Sequence, residues 1–376
     1  MTERSGPPGV RVVFDVDGLD ALIRALSTRG YDVFGPVLRD GAVSPGRITS
    51  VTELPRGVTT EQSPGRYRIG HDGEALFGHA AATSWKSLLF PSRRVLWRFD
   101  ADGVPVAPPP DPTKQALVGV RPCDLHGLQV HDRVLASRQS ADADYVERRR
   151  RTFVVVVACG QPAATCFCTS MGTGPGAGPG FDIALTELLD AGGHRFVADS
   201  GTPAGVEVLA SIPTRPATDR DRRAAAAVLA SAAAAMQRAV DTDGIRDLLY
   251  ANLDHPRWTE VASRCLGCAN CTLVCPTCFC VTTADVYDLT EPVGRDQTWD
   301  SCFHVDHSQL HGGPVRGSTR PRYRQWLTHK FASWIDQFGT SGCVGCGRCI
   351  TWCPAGIDVT EELAAIRATA AGEEPT

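Results

Sequence analysis

The sequence predicts two unlike parts, an N-terminal domain of α/β or α+β character over residues 1–255 and a mostly helical domain over 256–376 organised around bound metal. Three observations carry this. Residues 115–120 (QALVGV) and 153–158 (FVVVVA) are apolar runs separated by a helical pattern, which reads as a parallel strand–helix–strand unit. Residues 265–276 (CLGCANCTLVCP) have the spacing C-x2-C-x2-C-x3-C-P, and residues 343–354 (CVGCGRCITWCP) repeat it. About 67 residues separate the repeats, and they end in a helical aromatic pattern, Tyr323, Trp326, Leu327, Phe331, Trp334, Ile335 and Phe338, stopped by Gly339.

The repeated spacing is that of bacterial iron–sulfur proteins. Three thiolates two residues apart on a tight, glycine-containing turn reach three corners of one 4Fe-4S cubane. The fourth, followed by a proline that ends the loop, is turned away toward the other cluster. Cys265, Cys268 and Cys271 are therefore paired with Cys353, and Cys343, Cys346 and Cys349 with Cys275. A structural zinc site takes four ligands, usually as two separated pairs, and two runs of three-plus-one thiols match that poorly. The second domain is read as a two-cluster ferredoxin domain with an inserted segment at about 281–340.

In chain order, residues 10–16 (VRVVFDV) read as a strand. A helix then runs from a cap at Asp17 to about Arg29, with Leu19, Leu22, Ile23 and Leu26 on one face and Gly30 as its stop. Residues 31–69 are short apolar pieces broken by Gly, Pro, Asp and Ser, the pattern of hairpins. Residues 84–99 are apolar and aromatic, interrupted by Pro91, and 107–112 (APPPDP) form a stiff connector. A helix is expected over about 124–137, and the arginine run 148–151 reads as a solvated helix end. The glycines of 171–180 (MGTGPGAGPG) alternate with proline far from any strand, so a dinucleotide fingerprint is rejected in favour of a loop that wraps closely around something. A helix over 182–189, strand and turn over 196–213, an alanine-rich helix over 222–240 and short helices at 244–251 and 258–263 complete the first part.

Seven cysteines remain. Cys123 and Cys159 each follow an apolar strand, and a parallel unit would open both at the same carboxyl edge, where such sheets hold ligands. Cys166 and Cys168 lie a few residues on and could close a four-thiolate site, a third 4Fe-4S cluster; isolated buried cysteines would otherwise behave as small hydrophobes. Asp124, Cys278, Cys280 and Cys302 are alternative ligands, and the sequence does not allocate them. His304, His307 and His311 lie close in sequence but have no H-x-x-x-H pair with an intervening Glu, and they read as helix-surface or turn residues. No catalytic nucleophile–base set stands out.

The chain has 376 residues, 43% apolar and 21% charged, with net charge −4 and 15 cysteines. The small net charge gives no reason to expect nucleic acid or an anionic membrane as partner. Cluster-type cysteine spacing argues for a reducing, cytoplasmic setting. The first ten residues lack the apolar core of a signal peptide, and no window is apolar enough for a spanning helix.

Several segments together resemble a known family: Arg121-Pro122-Cys123-Asp124, residues 165–175 (TCFCTSMGTGP), 275–280 (CPTCFC), Trp299-Asp300-Ser301-Cys302, Arg322-Tyr323-Arg324, His329-Lys330-Phe331 and the second cysteine run. Over about 80–360 the chain resembles the 4Fe-4S dicluster β subunit of soluble, NAD(P)-linked NiFe hydrogenases of the sulfhydrogenase type, and the homologous A subunit of anaerobic sulfite reductase. The resemblance implies an electron-transfer subunit working with NiFe hydrogenase large and small subunits and an FAD- and NAD(P)-binding iron–sulfur flavoprotein. In the sulfite reductase alternative the partners are a flavin subunit and a sirohaem subunit. A reading of another class is a metal-stapled assembly module whose clusters only hold the fold.

Overall fold

The structure, a computed structural model, describes residues 9–80, 82–137, 141–287 and 293–370; the first eight residues, part of the stretch weighed as a signal peptide, lie outside them. β1 (Arg11–Asp15) leads into α1 (Val16–Thr28). The helix is capped by Asp15 and not by Asp17: the Asp15 carboxylate accepts from Gly18 N at 2.9 Å, satisfying one of the free amides of the first turn. Leu19, Leu22, Ile23 and Leu26 are buried on its inner face.

The expected hairpins follow. β2 (Tyr31–Arg39) and β3 (Ala42–Arg47) turn through Asp40-Gly41, both with positive φ, 51° and 73°, as a two-residue hairpin turn requires. β4 (Val58–Ser63) and β5 (Arg66–His71) make the second. After α2 (Lys86–Leu89), β6 (Arg93–Phe99) and β7 (Pro105–Val106) comes the exposed proline-rich connector.

The strand–helix–strand unit is β8 (Lys114–Val120), α3 (Pro122–Leu135), α4 (Ala143–Arg150) and β9 (Thr152–Val157). β8 and β9 pair in parallel, with Leu117 opposite Val154, and every residue of β9 is buried. The arginine run is not wholly solvated: Arg149 is buried, its Nε bonded to the Asp132 carboxylate at 3.2 and 3.3 Å.

The segment expected as a helix over 182–189 is instead β10 (Ile183–Asp190), parallel to β9 and antiparallel to β11 (Gly193–Ser200). Pairing on both sides overrides its mixed apolar periodicity. Residues 196–213 are not strand and turn throughout: α5 (Pro203–Ala210), capped by Thr202, follows β11 and precedes β12 (Arg215–Pro216). The alanine-rich α6 (Asp219–Ala234) starts earlier than expected, at a Thr218–Asp221 capping box, and ends six residues sooner. The completed sheet has eight strands in the order β12-β1-β11-β10-β9-β8-β2-β3. Its core joins α1 and α5 to the strands.

α7 (Ile245–Ala251) and α8 (Arg257–Arg264) lead into the first cysteine run, which contains α9 (Asn270–Leu273). β13 (Val281–Val286) and β14 (Gly294–Trp299) then form a hairpin that extends β6 and β7 into a four-stranded sheet, tying the inserted segment back to the N-terminal part. α10 (Thr319–Thr328), a widened π-helical turn (His329–Ser333) and α11 (Trp334–Phe338) form the aromatic helix, ended by Gly339 at φ 67°. The second run contains α12 (Arg348–Thr351), and α13 (Val359–Ala370) closes the described chain. A second core gathers Trp258, Phe303, Tyr323, Trp326 and Phe331 around the cysteines, and takes in Phe167, Val240, Ile245 and Leu249 from earlier in the chain.

Candidate metal centre

The two cysteine runs fold alike because their sequences demand the same backbone. Gly267 and Gly345 have φ 64° and 63°, and two residues on Ala269 and Gly347 have φ 67° and 71°. Each left-handed pair is followed by one helical turn. Leu273 N donates to Ala269 O at 3.1 Å as Thr351 N donates to Gly347 O at 3.1 Å, and Cys275 N to Thr272 O at 3.3 Å as Cys353 N to Ile350 O at 3.3 Å. The left-handed residues let the loop curl so that successive cysteines face one point.

Three cavities result, each ringed by thiols. Cys265, Cys268, Cys271 and Cys353 line the first, with Phe303, Tyr323 and Trp326 as its apolar wall. Cys343, Cys346, Cys349 and Cys275 line the second, with Phe167, Trp326 and Phe331. Cys123, Cys159, Cys166 and Cys168 line the third, where the carboxyl ends of β8 and β9 meet the glycine-rich loop. The void space, counting the approach from solvent, is about 430, 350 and 470 Å³. Cys349 also lines the first cavity and Cys346 the third, so the three stand in a row with the second run in the middle.

The third cavity is built by contacts that span the chain. Arg121 is buried and staples the strand ends, donating to the carbonyls of Phe77 (2.6 Å), His79 (2.6 Å) and Ala158 (3.2 Å). Phe167 N donates to Gly345 O at 2.8 Å and Thr173 Oγ1 to Val344 O at 2.6 Å, so the loop carrying Cys166 and Cys168 lies directly on the second run. The β4–β5 hairpin covers the same run: Gly65 N donates to Ile350 O (3.1 Å), Thr351 Oγ1 to Gln62 Oε1 (3.0 Å), and the Tyr67 and Trp352 rings stack at 5.4 Å. The loop at 171–180 does wrap something: a side chain on Gly174 would meet Cys168 Sγ at 2.8 Å.

Asp124 does not face the third cavity as a free carboxylate, for Arg348 holds both its oxygens at 2.7 Å. Cys278 contacts Cys275, and Cys280 contacts Cys302 at the open end of the β13–β14 hairpin; none of the three lines the third cavity. His304 and His307 both bond Asp300 at 2.5 Å through Nδ1, a turn-stabilising arrangement.

Burial raises most of the thiols: Cys123, Cys271 and Cys349 well above the usual range, and Cys168 and Cys343 to about 12. Two go the other way: Cys275 is held well below by a hydrogen bond from Cys278 and by the Lys330 ammonium, and Cys280 is lowered to about 6 by a hydrogen bond from Cys302. Metal binding must then displace protons from the buried thiols. Soft sulfur donors select iron–sulfur clusters or zinc. Among the described residues no three His, Cys, Asp or Glu side chains converge closely enough to hold a single ion. The thiols ring cavities instead, which suits a polynuclear cluster.

Sequence reasoning gave no role to the buried cations beside these thiols, although Lys330 lies in the His329-Lys330-Phe331 segment that carried the family resemblance. Lys330 Nζ donates to Cys275 Sγ at 3.1 Å, and Lys86 Nζ donates to the carbonyls of Leu273 (3.3 Å) and Cys278 (3.2 Å) while lying 3.9 Å over the Trp299 ring. Each stands as a lysine inside an otherwise apolar, aromatic stretch.

Fold and donors define an iron–sulfur protein: a mixed α/β region followed by a ferredoxin-type domain, and a family model for the 4Fe-4S dicluster domain matches residues 264–357. The chain is similar to sulfhydrogenase 2 subunit beta of Pyrococcus furiosus, 29% identical over 345 residues that cover 89% of this chain and 92% of that protein. The resemblance to hydrogenase β subunits drawn from the motifs is thereby borne out. No solved structure matches the chain. Among the described residues no helix is long and apolar enough to cross a membrane.

Proposed function

We propose that this chain is the iron–sulfur electron-transfer subunit of a soluble, cytoplasmic NiFe hydrogenase, connecting an NAD(P)-binding flavoprotein subunit with the hydrogenase module. The likeness to a sulfhydrogenase β subunit and the dicluster domain support the subunit class. The observation that carries the relay is the row of three thiol-lined cavities, adjacent ones sharing a wall cysteine, Cys349 and then Cys346. In this reading Cys265, Cys268, Cys271 and Cys353 hold one 4Fe-4S cluster, Cys343, Cys346, Cys349 and Cys275 a second, and Cys123, Cys159, Cys166 and Cys168 a third. Each cluster, when bound, supplies a one-electron couple whose potential follows from hydrogen bonds to sulfur, nearby charge and solvent access.

The residues around the cavities do the spacing and insulation. Phe303, Tyr323, Trp326 and Phe331 keep water from the first two sites, and Trp326 stands in the wall of both. At one end of the row the first run reaches the surface, where Cys268 is exposed and Leu266 is 70% exposed, which gives an electron partner a short approach.

The test is anaerobic purification with co-purifying subunits, followed by iron, nickel and flavin analysis and paramagnetic resonance under hydrogen and under reduced pyridine nucleotide. Nickel and flavin in the complex, with cluster signals that appear under either reductant, are expected. A sirohaem partner in place of nickel would move the chain to the sulfite reductase alternative. Clusters that stay silent under both reductants would leave only the assembly role.

A further inference from the structure

The two cysteine runs repeat each other's backbone hydrogen bonds, yet their last cysteines are treated differently. Cys353 Sγ accepts from Ile357 N at 3.3 Å, a neutral amide. Its counterpart Cys275 accepts from the Lys330 ammonium at 3.1 Å. Lys330 sits in the π-helical turn between α10 and α11, and such widened turns recur at functional positions. The ammonium is buried and also bonds Thr277 Oγ1 (3.2 Å) and Gly342 O (3.4 Å), neither of them a carboxylate. Its backbone is pinned beside the second run, since Gly342 N and Ser341 Oγ both donate to Lys330 O, at 2.7 and 3.1 Å.

A full positive charge held against a ligand sulfur away from water favours whichever cluster state is more negative, which is the reduced one. Of the other buried cations nearby, Arg348 is paired with Asp124 and adds little net charge, and Lys86 bonds the carbonyls of Leu273 and Cys278 rather than a ligand sulfur. We infer that Lys330 is a positioning and potential-setting residue for the second cluster, raising its potential above that of the first, so that the two otherwise matched sites are unequal. This rests on the cluster reading above, with Cys275 as a ligand of the second site.

The experiment compares the wild-type chain in its anaerobically purified complex with Lys330→Met and Lys330→Arg. Iron content is measured first, then midpoint potentials by redox titration with paramagnetic resonance, the second cluster's signal being assigned by its loss in Cys349→Ser. Lys330→Met is expected to keep its iron and to lower the second cluster's potential by at least the equivalent of a tenfold change in its reduction equilibrium, about 59 mV for one electron. Lys330→Arg, which keeps the charge, should recover most of the shift, and the first cluster should stay put. Full iron with an unmoved potential would overturn the inference, and so would a drop in Lys330→Met that Lys330→Arg fails to recover. Loss of the second cluster from both variants would assign the lysine a structural role and reject the inference. Wild-type complex without iron would sink the cluster reading itself, and this inference with it.

Discussion

Arg348 and Asp124 meet across 224 positions of sequence through two hydrogen bonds of 2.7 Å, Nη1 to Oδ1 and Nη2 to Oδ2, with both side chains buried. Arg348 lies between Cys346 and Cys349 of the second run, and Asp124 follows Cys123 of the third cavity. The pair therefore joins the sheet's carboxyl edge to the cluster domain. A buried fork-to-fork pair is geometrically specific, but either partner alone is an uncompensated charge.

Arg348→Met should consequently lower stability by about 3–5 kcal/mol, the range for breaking one side of a buried pair. Replacing both, with Asp124→Leu and Arg348→Met together, should recover a substantial part, because no bare charge is left behind. Denaturant midpoints of the two variants and the wild type decide this. A single variant as stable as the wild type would show that water reaches the pair.

The turn at Gly345 and Gly347 offers a second test. A Cβ on Gly345 would come within 2.6–2.7 Å of backbone atoms of Phe167 and Cys168, and one on Gly347 within 2.2 Å of Thr165 O. These are backbone atoms that cannot swing away, and the left-handed conformation alone costs an ordinary residue about 1–2 kcal/mol. Gly345→Ala and Gly347→Ala should each push the loop 165–173 off the second run and reduce iron content. Gly339→Ala, at a left-handed position with open space around it, should show the conformational cost without the iron loss. Iron analysis of the three variants side by side separates the two effects.

Much of this architecture is legible in local sequence because the determining interactions are local. The cysteine runs encode their own turns, and the apolar runs at 115–120 and 153–158 encode a parallel unit whose strand ends bring Cys123 and Cys159 to one edge. Residues 182–189 misread because Ile183, Leu185 and Leu188 suit either a helix or a strand flanked on both sides, and only β9 and β11 decide. The contacts of Lys330 and Lys86 and the pairing of Arg348 with Asp124 are invisible for a different reason. A lysine's partners, here Cys275 at 55 positions and Cys278 at 192, leave no pattern near it.

His131 supplies a pH test remote from the cysteine runs in sequence. Its ring is buried among Phe90, Tyr145 and Phe279, and burial lowers its pKa to about 3, against an ordinary value of 6.5. Between those values the unfolded chain binds a proton that the folded chain does not. Stability should therefore be unaffected by this group above pH 6.5 and fall as pH drops toward 3. At pH 5.5 the loss is about 1.4 kcal/mol, one pKa unit's worth. His131→Phe should remove that part of the slope, so the difference between wild type and variant at pH 7.5 and 5.5 is the quantity to measure. An identical slope in both would mean that the ring is already charged, or reached by water, in the folded state.

The seven cysteines outside the two runs divide by position, and serine substitution should expose the division. Cys123, Cys159, Cys166 and Cys168 line the third cavity, whereas Cys278, Cys280 and Cys302 line none of the three. If the third cavity holds a cluster of its own, Cys159→Ser or Cys166→Ser should remove about a third of the iron and leave the two ferredoxin-type signals in place. Cys280→Ser and Cys302→Ser should leave the iron count unchanged, since these two thiols bond to each other, with the Cys280 thiol held at about 6 by the hydrogen bond from Cys302. Iron and sulfide analysis with paramagnetic resonance on the anaerobic protein gives the readout. If Cys280→Ser costs as much iron as Cys166→Ser, the sulfurs at the base of the β13–β14 hairpin are cluster ligands, and the allocation by cavity is wrong.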